Sequence, residues 1–215
     1  MAQIFHRSTN TLARVSIFGA IFFVAALLTV FFVLDRSAYN TGEGVILKQP
    51  VPFSHDHHVR GLGLDCRYCH TTVEKQAFAG MPPTATCMNC HKQIWRDADL
   101  LAPIRTSLES GRPIRWERVY DLPDFVYFDH SIHVAKGIGC ASCHGRGDQM
   151  PLMMQAVSLQ MIWCLECHRH PERFVRPREA VFDMTWEAED QAALGSSLVS
   201  EYGIRSKTSC STCHR

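Results

Sequence analysis

Cysteine and histidine recur in this sequence at one fixed spacing. The ten cysteines form five Cys-x-x-Cys pairs, and a histidine directly follows each pair. The pairs are Cys66 and Cys69, Cys87 and Cys90, Cys140 and Cys143, Cys164 and Cys167, and Cys210 and Cys213, followed by His70, His91, His144, His168 and His214. Cys-x-x-Cys-His attaches haem c: the thiols form thioethers with the porphyrin, and the histidine binds the iron. The spacing predicts five covalent haems c.

Zinc knuckles and thioredoxin-like redox pairs also contain Cys-x-x-Cys. With 12 histidines among 215 residues, chance would place one after all five pairs on the order of once in a million such sequences. A zinc ribbon does not need a histidine at that position each time. The pattern therefore favours haem over zinc.

A second element supplies histidines for the opposite faces of the irons. Phe-x-His-x-x-His occurs at His55 and His58 and again at His130 and His133, in each case ahead of two haem motifs. Two histidines three residues apart lie on one face of a helical turn, so each can reach a different haem. We predict that these four residues are distal ligands. His57 lies off that face and is expected to be a surface or supporting residue.

One iron is left without a distal histidine of this kind. Met150, Met161 and His170 are the candidates, and a thioether ligand raises the reduction potential relative to a second histidine. We predict one His/Met haem, with Met150 as the first choice, Met161 as the second and His170 as the third.

The motifs form an internal repeat. Residues 53–91 and 128–168 are each a two-haem unit, and FSHDHHVRGLGLDCRYCH aligns with FDHSIHVAKGIGCASCH when one residue is inserted before the cysteines. The fifth motif, 210–214, ends the chain. So few residues per haem cannot build a separate apolar core around each one. The predicted fold is a multihaem cytochrome c, with short α-helices and irregular loops around five haems.

An uncharged apolar segment precedes the haem motifs. Residues 15–34 contain no charged side chain and would span about 30 Å as a helix, the hydrocarbon thickness of a bilayer. We predict a transmembrane helix there, a cytoplasmic N-terminus at 1–14, a linker at 35–52 and a periplasmic pentahaem domain at 53–215. A cleaved signal peptide is the alternative, although 35–39 makes a poor cleavage site.

Three helices longer than a haem motif are also expected. The first passes through Cys87–Trp95, the second covers the apolar stretch Pro151–Met161, and the third is amphipathic and runs over Trp186–Tyr202.

Several strings resemble a known family. MPPTATCMNCHKQIW, RWERVYDLPDFVYFDHSIHV, CHGRGDQMP and MIWCLECHR are similar to the pentahaem cytochrome c subunit (ActA) of alternative complex III, and the similarity covers nearly the whole chain. The resemblance implies an electron-transfer subunit of a membrane quinol oxidoreductase in the bacterial inner membrane. It also implies an iron–sulfur subunit, polytopic quinol-site subunits and a monohaem cytochrome c as partners, with a cytochrome or a haem–copper oxidase as acceptor.

Two enzymatic alternatives remain open at this point. A stand-alone membrane-anchored multihaem quinol dehydrogenase would need an open or weakly ligated haem beside the bilayer. A multihaem reductase would need a dedicated substrate-binding haem, and none of the five motifs departs from the common pattern. No basic block interleaved with aromatic residues points to nucleic acid. An electron relay without catalysis of its own is favoured.

Overall fold

The computed structural model describes residues 4–214; residues 1–3 and 215, the outer ends of the predicted 1–14 and 53–215 segments, lie outside the description. The chain divides into two compact units, residues 1–42 and 43–215. The boundary falls inside the predicted linker. Within the described part, the α-helices are α1 Thr9–Asp35, α2 Ala38–Thr41, α3 Cys66–Cys69, α4 Thr84–His91, α5 Ala102–Ser110, α6 His130–Ala135, α7 Cys140–His144, α8 Met161–Arg169, α9 Gln191–Glu201 and α10 Cys210–Cys213.

The first unit consists of α1 and the short α2. Helix α1 has 27 residues and a mean hydropathy of 2.8 over its most apolar window, and none of that window is buried in the fold. A helix of this length measures about 40 Å. By length and composition it is able to cross a membrane, as the sequence predicted, and a signal sequence would pass the same test.

The second unit is made of short helices joined by irregular segments, as the composition predicted. Its described residues form isolated β-bridges, and its 3₁₀ helices are Asp99–Leu101, Gly147–Gln149, Pro171–Arg173 and Arg178–Ala180. Two small apolar clusters hold it together. The first is formed by Val51, Leu101 and Ile104, and the second by Val175, Leu198 and Tyr202.

The two halves of the repeat differ at their distal histidines. His130 and His133 lie in α6, whose N-cap Asp129 accepts a hydrogen bond from the backbone N–H of Ser131. The equivalent segment of the first repeat is a π-helical turn, Asp56–Gly61. A π-turn accommodates one extra residue in a helix. The single-residue insertion seen in the alignment is therefore absorbed there.

The predicted helix at Pro151–Met161 is wrong. Met154 and Gln155 instead form bridges with Ile46 and Glu43, and the backbone N–H of Gly44 donates to the carbonyl of Gln155 at 2.7 Å. Because these backbone groups pair with a distant segment, they are not available for helical bonds. Helix formation begins only at Met161.

Two other helices are shorter than predicted. Helix α4 ends at His91 rather than Trp95, which has a left-handed φ of 53°. Helix α9 begins at Gln191 rather than Trp186, because the Asp190 side chain accepts a hydrogen bond from the backbone N–H of Ala193 and acts as the N-cap. The acidic residues that suggested an earlier start therefore precede the helix.

Helix α9 packs closely on the 3₁₀ helix Pro171–Arg173 through Gly195. A Cβ at this position would collide with the backbone carbonyl of Glu172, and backbone cannot move aside cheaply. We expect Gly195→Ala to destabilise the second unit by about 2 kcal/mol, a clash of about 3 kcal/mol offset by about 1 kcal/mol of better helix propensity. Chemical denaturation followed by circular dichroism measures the change.

The matched control is Ser196→Ala, one residue along the same helix. Ser196 is exposed, and its hydroxyl donates to the carbonyl of Ala192 within the helix. Its replacement should change the free energy of unfolding by less than about 0.5 kcal/mol. Equal effects of the two substitutions would contradict the proposed close packing.

Candidate haem sites

Each haem motif lies on a short helix. The motifs at Cys66, Cys140 and Cys210 begin α3, α7 and α10, whereas those at Cys87 and Cys164 occupy the C-terminal parts of α4 and α8. Residues three apart lie on the same face of a helix. Both thiols of a motif therefore face one side, and the histidine follows at the end of the turn.

The imidazole rings of most predicted ligands are held by backbone carbonyl groups. The Nδ1 contacts are His58 with Ser54, His70 with Gly80, His91 with Ile94, His130 with Ala77, His133 with Asp129, His168 with Lys207 and His214 with Phe125, at 2.6–3.2 Å. Because a carbonyl oxygen only accepts, Nδ1 carries the hydrogen and Nε2 keeps its lone pair. A hydrogen bond from Nδ1 to a carbonyl is typical of histidine that binds a metal through Nε2, because it fixes the tautomer and the orientation of the ring.

Predicted distal and proximal histidines face each other in pairs. Ring centroids are 6.1 Å apart for His58 and His91, 6.4 Å for His130 and His144, and 6.1 Å for His133 and His168. A metal bound to two opposed imidazoles at about 2 Å each places the ring centroids about 6 Å apart. The spacing of the three pairs therefore fits an iron between the rings.

His55 and His70 are electrostatic neighbours, which fits the prediction of His55 as a distal ligand. Burial, together with repulsion from His70 and His58, lowers the pKa of His55 to about 4. His144 is also buried, and burial with repulsion from His130, His70 and His55 lowers its pKa to about 4. Both rings are therefore neutral at pH 7, which is the form that binds iron. The Nδ1 of His55 is buried without a hydrogen-bond partner.

The donor set fits haem better than zinc. Among residues 4–214, no group of three or more His, Cys, Asp or Glu side chains converges to hold a metal ion. A structural zinc site needs four protein ligands, whereas a porphyrin supplies four nitrogens and needs only the two axial ones from the protein. Histidine pairs beside Cys-x-x-Cys therefore match haem.

Tyr120 supports His144, a role that the sequence analysis missed. Its ring packs edge-on against the imidazole, with centroids 4.3 Å apart. Its hydroxyl donates to the carbonyl of Cys143 at 3.1 Å and accepts from the N–H of Ala156 at 2.8 Å. Tyr120 lies 24 residues before the histidine, and no local spacing signals the contact.

The candidates for the fifth distal ligand have different surroundings. Met150 is 7% exposed, and its carbonyl accepts a hydrogen bond from the N–H of Asp56. Met161 is 67% exposed and lies in the first turn of α8, three residues before Cys164. The Nδ1 of His170 is 3.4 Å from the Glu172 carboxylate. The choice among the three stays a prediction.

Contacts between motifs place three of them side by side. The side-chain amide of Asn89, inside the 87–91 motif, donates to the hydroxyl of Tyr68, inside the 66–70 motif, at 3.0 Å. The side chains of Cys66 and Cys140 are in turn close to each other. The 66–70 motif therefore lies between the other two.

The 164–168 motif lies next to the 140–144 motif on the side of Cys143, and the 210–214 motif comes after it. Burial, followed by the charges of Cys167 and Cys164, raises the pKa of the Cys143 thiol to about 12, so these thiols are neighbours. His168 contacts the segment just before the last motif: its Nδ1 donates to the carbonyl of Lys207 at 2.9 Å, and its own carbonyl accepts from the Ser206 hydroxyl at 2.9 Å. No spacing in the sequence predicts these neighbour relations.

Comparison with known proteins agrees with this geometry. Residues 126–215, which hold three of the five motifs, match the family model described as cytochrome c7 and related cytochrome c. The chain is a multihaem c-type cytochrome. It carries five covalent haems c, and its short helices and loops are the fold of that class.

A curated relative of the cytochrome is the menaquinone reductase, multiheme cytochrome c subunit, of Nitratidesulfovibrio vulgaris. The two are 33% identical over 122 residues, which is 56% of this chain and 55% of the relative. The chain thus spans about half the length of the curated relative that it matches.

We expect the cysteines of the mature cytochrome to be fully consumed by haem. Every cysteine lies in a Cys-x-x-Cys-His motif, and two thioethers per motif account for all ten. Intact mass should exceed that of the polypeptide by five haems, and a thiol assay on the denatured protein should detect nothing. One reactive thiol per chain would show that a motif binds its haem through a single cysteine.

Proposed function

We propose that the cytochrome relays electrons along a single row of haems. The order of attachment motifs is 87–91, 66–70, 140–144, 164–168 and 210–214. The observation that carries the proposal is the set of neighbour relations between motifs, in which each motif, or the segment leading into it, lies next to the one before. Each bound haem supplies a reversible one-electron change at its iron.

The chain's own residues hold both sides of each iron. For four motifs the partner ring is provided by His55, His58, His130 and His133, and the ten cysteines fix the porphyrin edges. With two histidine rings at each of these four irons, no iron position would be open to a substrate, which supports electron transfer over bond chemistry. A reductase would need at least one such position open.

For the iron that has no histidine of the two Phe-x-His-x-x-His elements we propose Met150 as the distal ligand, with Met161 and His170 as alternatives. A methionine thioether would give that haem a higher potential than the bis-histidine haems. The oxidised cytochrome should then show a methionine–iron charge-transfer band in the far red. The band should disappear in Met150→His and persist in His170→Ala.

Matched substitutions separate the three candidates. Disappearance of the band in Met161→His alone would assign the ligand to Met161. If no methionine band exists and His170→Ala abolishes one low-spin haem, all five haems have two histidine ligands and the methionine proposal fails.

We further propose that the cytochrome is a subunit of a membrane-bound quinone oxidoreductase, with quinol oxidation as in alternative complex III. The strings quoted above support this assignment, and α1 supplies an anchor. Residues 1–14 would lie in the cytoplasm, 15–34 in the membrane and 53–215 in the periplasm. The partners would be an iron–sulfur subunit, polytopic quinol-site subunits and a monohaem cytochrome c, with a haem–copper oxidase as one acceptor.

The named relative favours a second direction of electron flow. Its name describes a menaquinone reductase, so electrons would pass through such a subunit toward quinone. The same row of haems serves either direction, because the one-electron change is reversible. The direction is set by the partners at the two ends of the row.

Purification in mild detergent tests the assignment. Co-purification of iron–sulfur and polytopic subunits is expected, and reduction of the haems by added quinol would establish the oxidising direction. An isolated cytochrome that oxidised quinol alone would support the stand-alone dehydrogenase instead. An N-terminus beginning near residue 38 would refute the membrane anchor.

A further inference from the structure

Arg176 is a buried cation that the haem motifs do not account for. The residue is 8% exposed, and its Nε is buried without a hydrogen-bond partner. Its Nη1 donates to the backbone carbonyl of Asp183 at 3.1 Å, and its guanidinium lies 5.0 Å from the centre of the Trp186 ring. The Asp183 carboxylate itself accepts hydrogen bonds from the N–H and hydroxyl of Thr185.

The guanidinium lies directly against the 140–144 motif. A Cβ at Gly139, the residue before Cys140, would collide with the guanidinium of Arg176. Ser142, between the two cysteines, and Arg176 line the same cavity of about 330 Å³. The charge is therefore placed next to the edge at which this haem is attached.

The backbone fixes Arg176 in this position from both sides. Its N–H donates to the carbonyl of Gly137 at 2.8 Å, and the neighbouring Val175 forms a bridge with Ile138. The N–H of Cys140 donates to the carbonyl of Val181 at 3.1 Å. The segment 175–181 and the start of the motif are thus bonded to each other, which holds the backbone of Arg176 beside the motif.

Burying an arginine charge costs free energy, and attraction by the Asp183 carboxylate offsets only part of the effect of burial on Arg176, whose pKa is lowered. Arginine keeps its proton at any physiological pH, so the cost is not relieved by deprotonation. A positive charge beside a haem disfavours the ferric state, which carries one more positive charge than the ferrous state. In a poorly screened interior this effect is larger than at the surface.

We propose that Arg176 is a positioning residue that raises the reduction potential of the haem attached at Cys140 and Cys143. The proposal rests on haem attachment at this motif, which is the middle of the row proposed above. It does not depend on the order of the other haems or on the identity of the partner complex. By setting the potential of the middle member, Arg176 would control how readily electrons cross from one half of the row to the other.

The test is a potentiometric titration of the purified full-length cytochrome, reduced stepwise with dithionite. In Arg176→Gln, one of the five one-electron components should fall by about 59 mV, which is a tenfold change in its equilibrium constant. The other four components and the haem content should not change. Arg176→Lys keeps the positive charge, so its five reduction potentials should remain close to those of the unmodified protein.

Arg178→Gln is the matched control. Arg178 lies two residues along the same segment and is exposed, and its guanidinium lies 4.2 Å from the centre of the Tyr202 ring. Its titration should superimpose on that of the unmodified protein.

The proposal is overturned if Arg176→Gln retains five haems with unchanged potentials. It is also overturned if Arg176→Lys lowers the potential of one haem as far as Arg176→Gln does. Arg176→Met provides a second neutral variant should the glutamine variant lose a haem. Loss of a haem in both neutral variants would make Arg176 a structural residue and would also overturn the proposal. Because the titration uses the isolated chain, its result is independent of whether a quinol-oxidising complex is found.

Discussion

Replacing His58 with alanine should convert one of the five low-spin haems to a high-spin haem or remove it. The His58 ring faces His91 with 6.1 Å between centroids, and its Nδ1 donates to the Ser54 carbonyl, which directs Nε2 away from the backbone. Without this ring the iron held by His91 has an empty or water-filled sixth position. Electron paramagnetic resonance of the oxidised protein measures the loss of one low-spin signal in five.

His57→Ala is the matched control, because His57 is the adjacent residue and is also a histidine. Its ring stacks on Trp95 with centroids 6.0 Å apart, and the sequence places it off the ligand face. This variant should retain all five low-spin haems. If His58→Ala also retained five, the assignment of His58 as a ligand would be wrong.

Removing the middle haem should divide the row into two halves. In the double variant Cys140→Ala with Cys143→Ala, four haems remain, two on each side of the gap. Electron transfer between haems needs close contact, so in the purified complex quinol should rapidly reduce only the two haems on the side at which electrons enter. Rapid-mixing absorbance in the haem α-band gives the fraction that is reduced quickly.

Removing the haem at the end of the row is the matched comparison. In Cys210→Ala with Cys213→Ala, the four remaining haems stay contiguous and should respond together. All four haems will be reduced quickly if electrons enter at the 87–91 end. All four will be reduced slowly if electrons normally enter through the missing haem. A fast phase of any size other than two haems in the Cys140→Ala, Cys143→Ala variant would contradict the proposed order.

The chemistry of the sites could be predicted from sequence because it is local. Cys-x-x-Cys-His places its three reactive groups within one helical turn, so spacing alone identifies haem attachment. The i, i+3 spacing of His130 and His133 is equally local, and the two residues do share helix α6. The alignment showed the one-residue difference between the repeats, but it did not predict the π-turn that accommodates the extra residue.

Features that depend on distant contacts could not be predicted. Pro151–Met161 has the composition of a helix, but Met154 and Gln155 pair with residues more than 100 positions away. The order of the motifs rests on contacts such as Asn89 with Tyr68, between residues that no pattern relates. Arg176 resembles any other arginine in the sequence. Only its burial against Gly139 distinguishes it.

The two small apolar clusters have a consequence for biogenesis. In the described chain, the cluster of Val51, Leu101 and Ile104 closes a loop that contains the first two motifs. The second cluster, with Ile138 and Tyr202, closes another that contains the 140–144 and 164–168 motifs. When a loop closes early, the entropic cost of bringing its ends together no longer has to be met in later folding steps.

A newly exported chain would therefore form two closed loops before any haem is attached. Each loop would contain two haem motifs. The motif at 210–214 lies beyond both clusters and is held instead by contacts with residues 125–127: the Nδ1 of His214 donates to the carbonyl of Phe125, and the N–H of Tyr127 donates to the carbonyl of Cys213. Attachment machinery would meet two loops that carry two motifs each and one motif outside them. Maturation should accordingly stall in two-haem steps, with partially loaded chains carrying even numbers of haems until the 210–214 motif is filled.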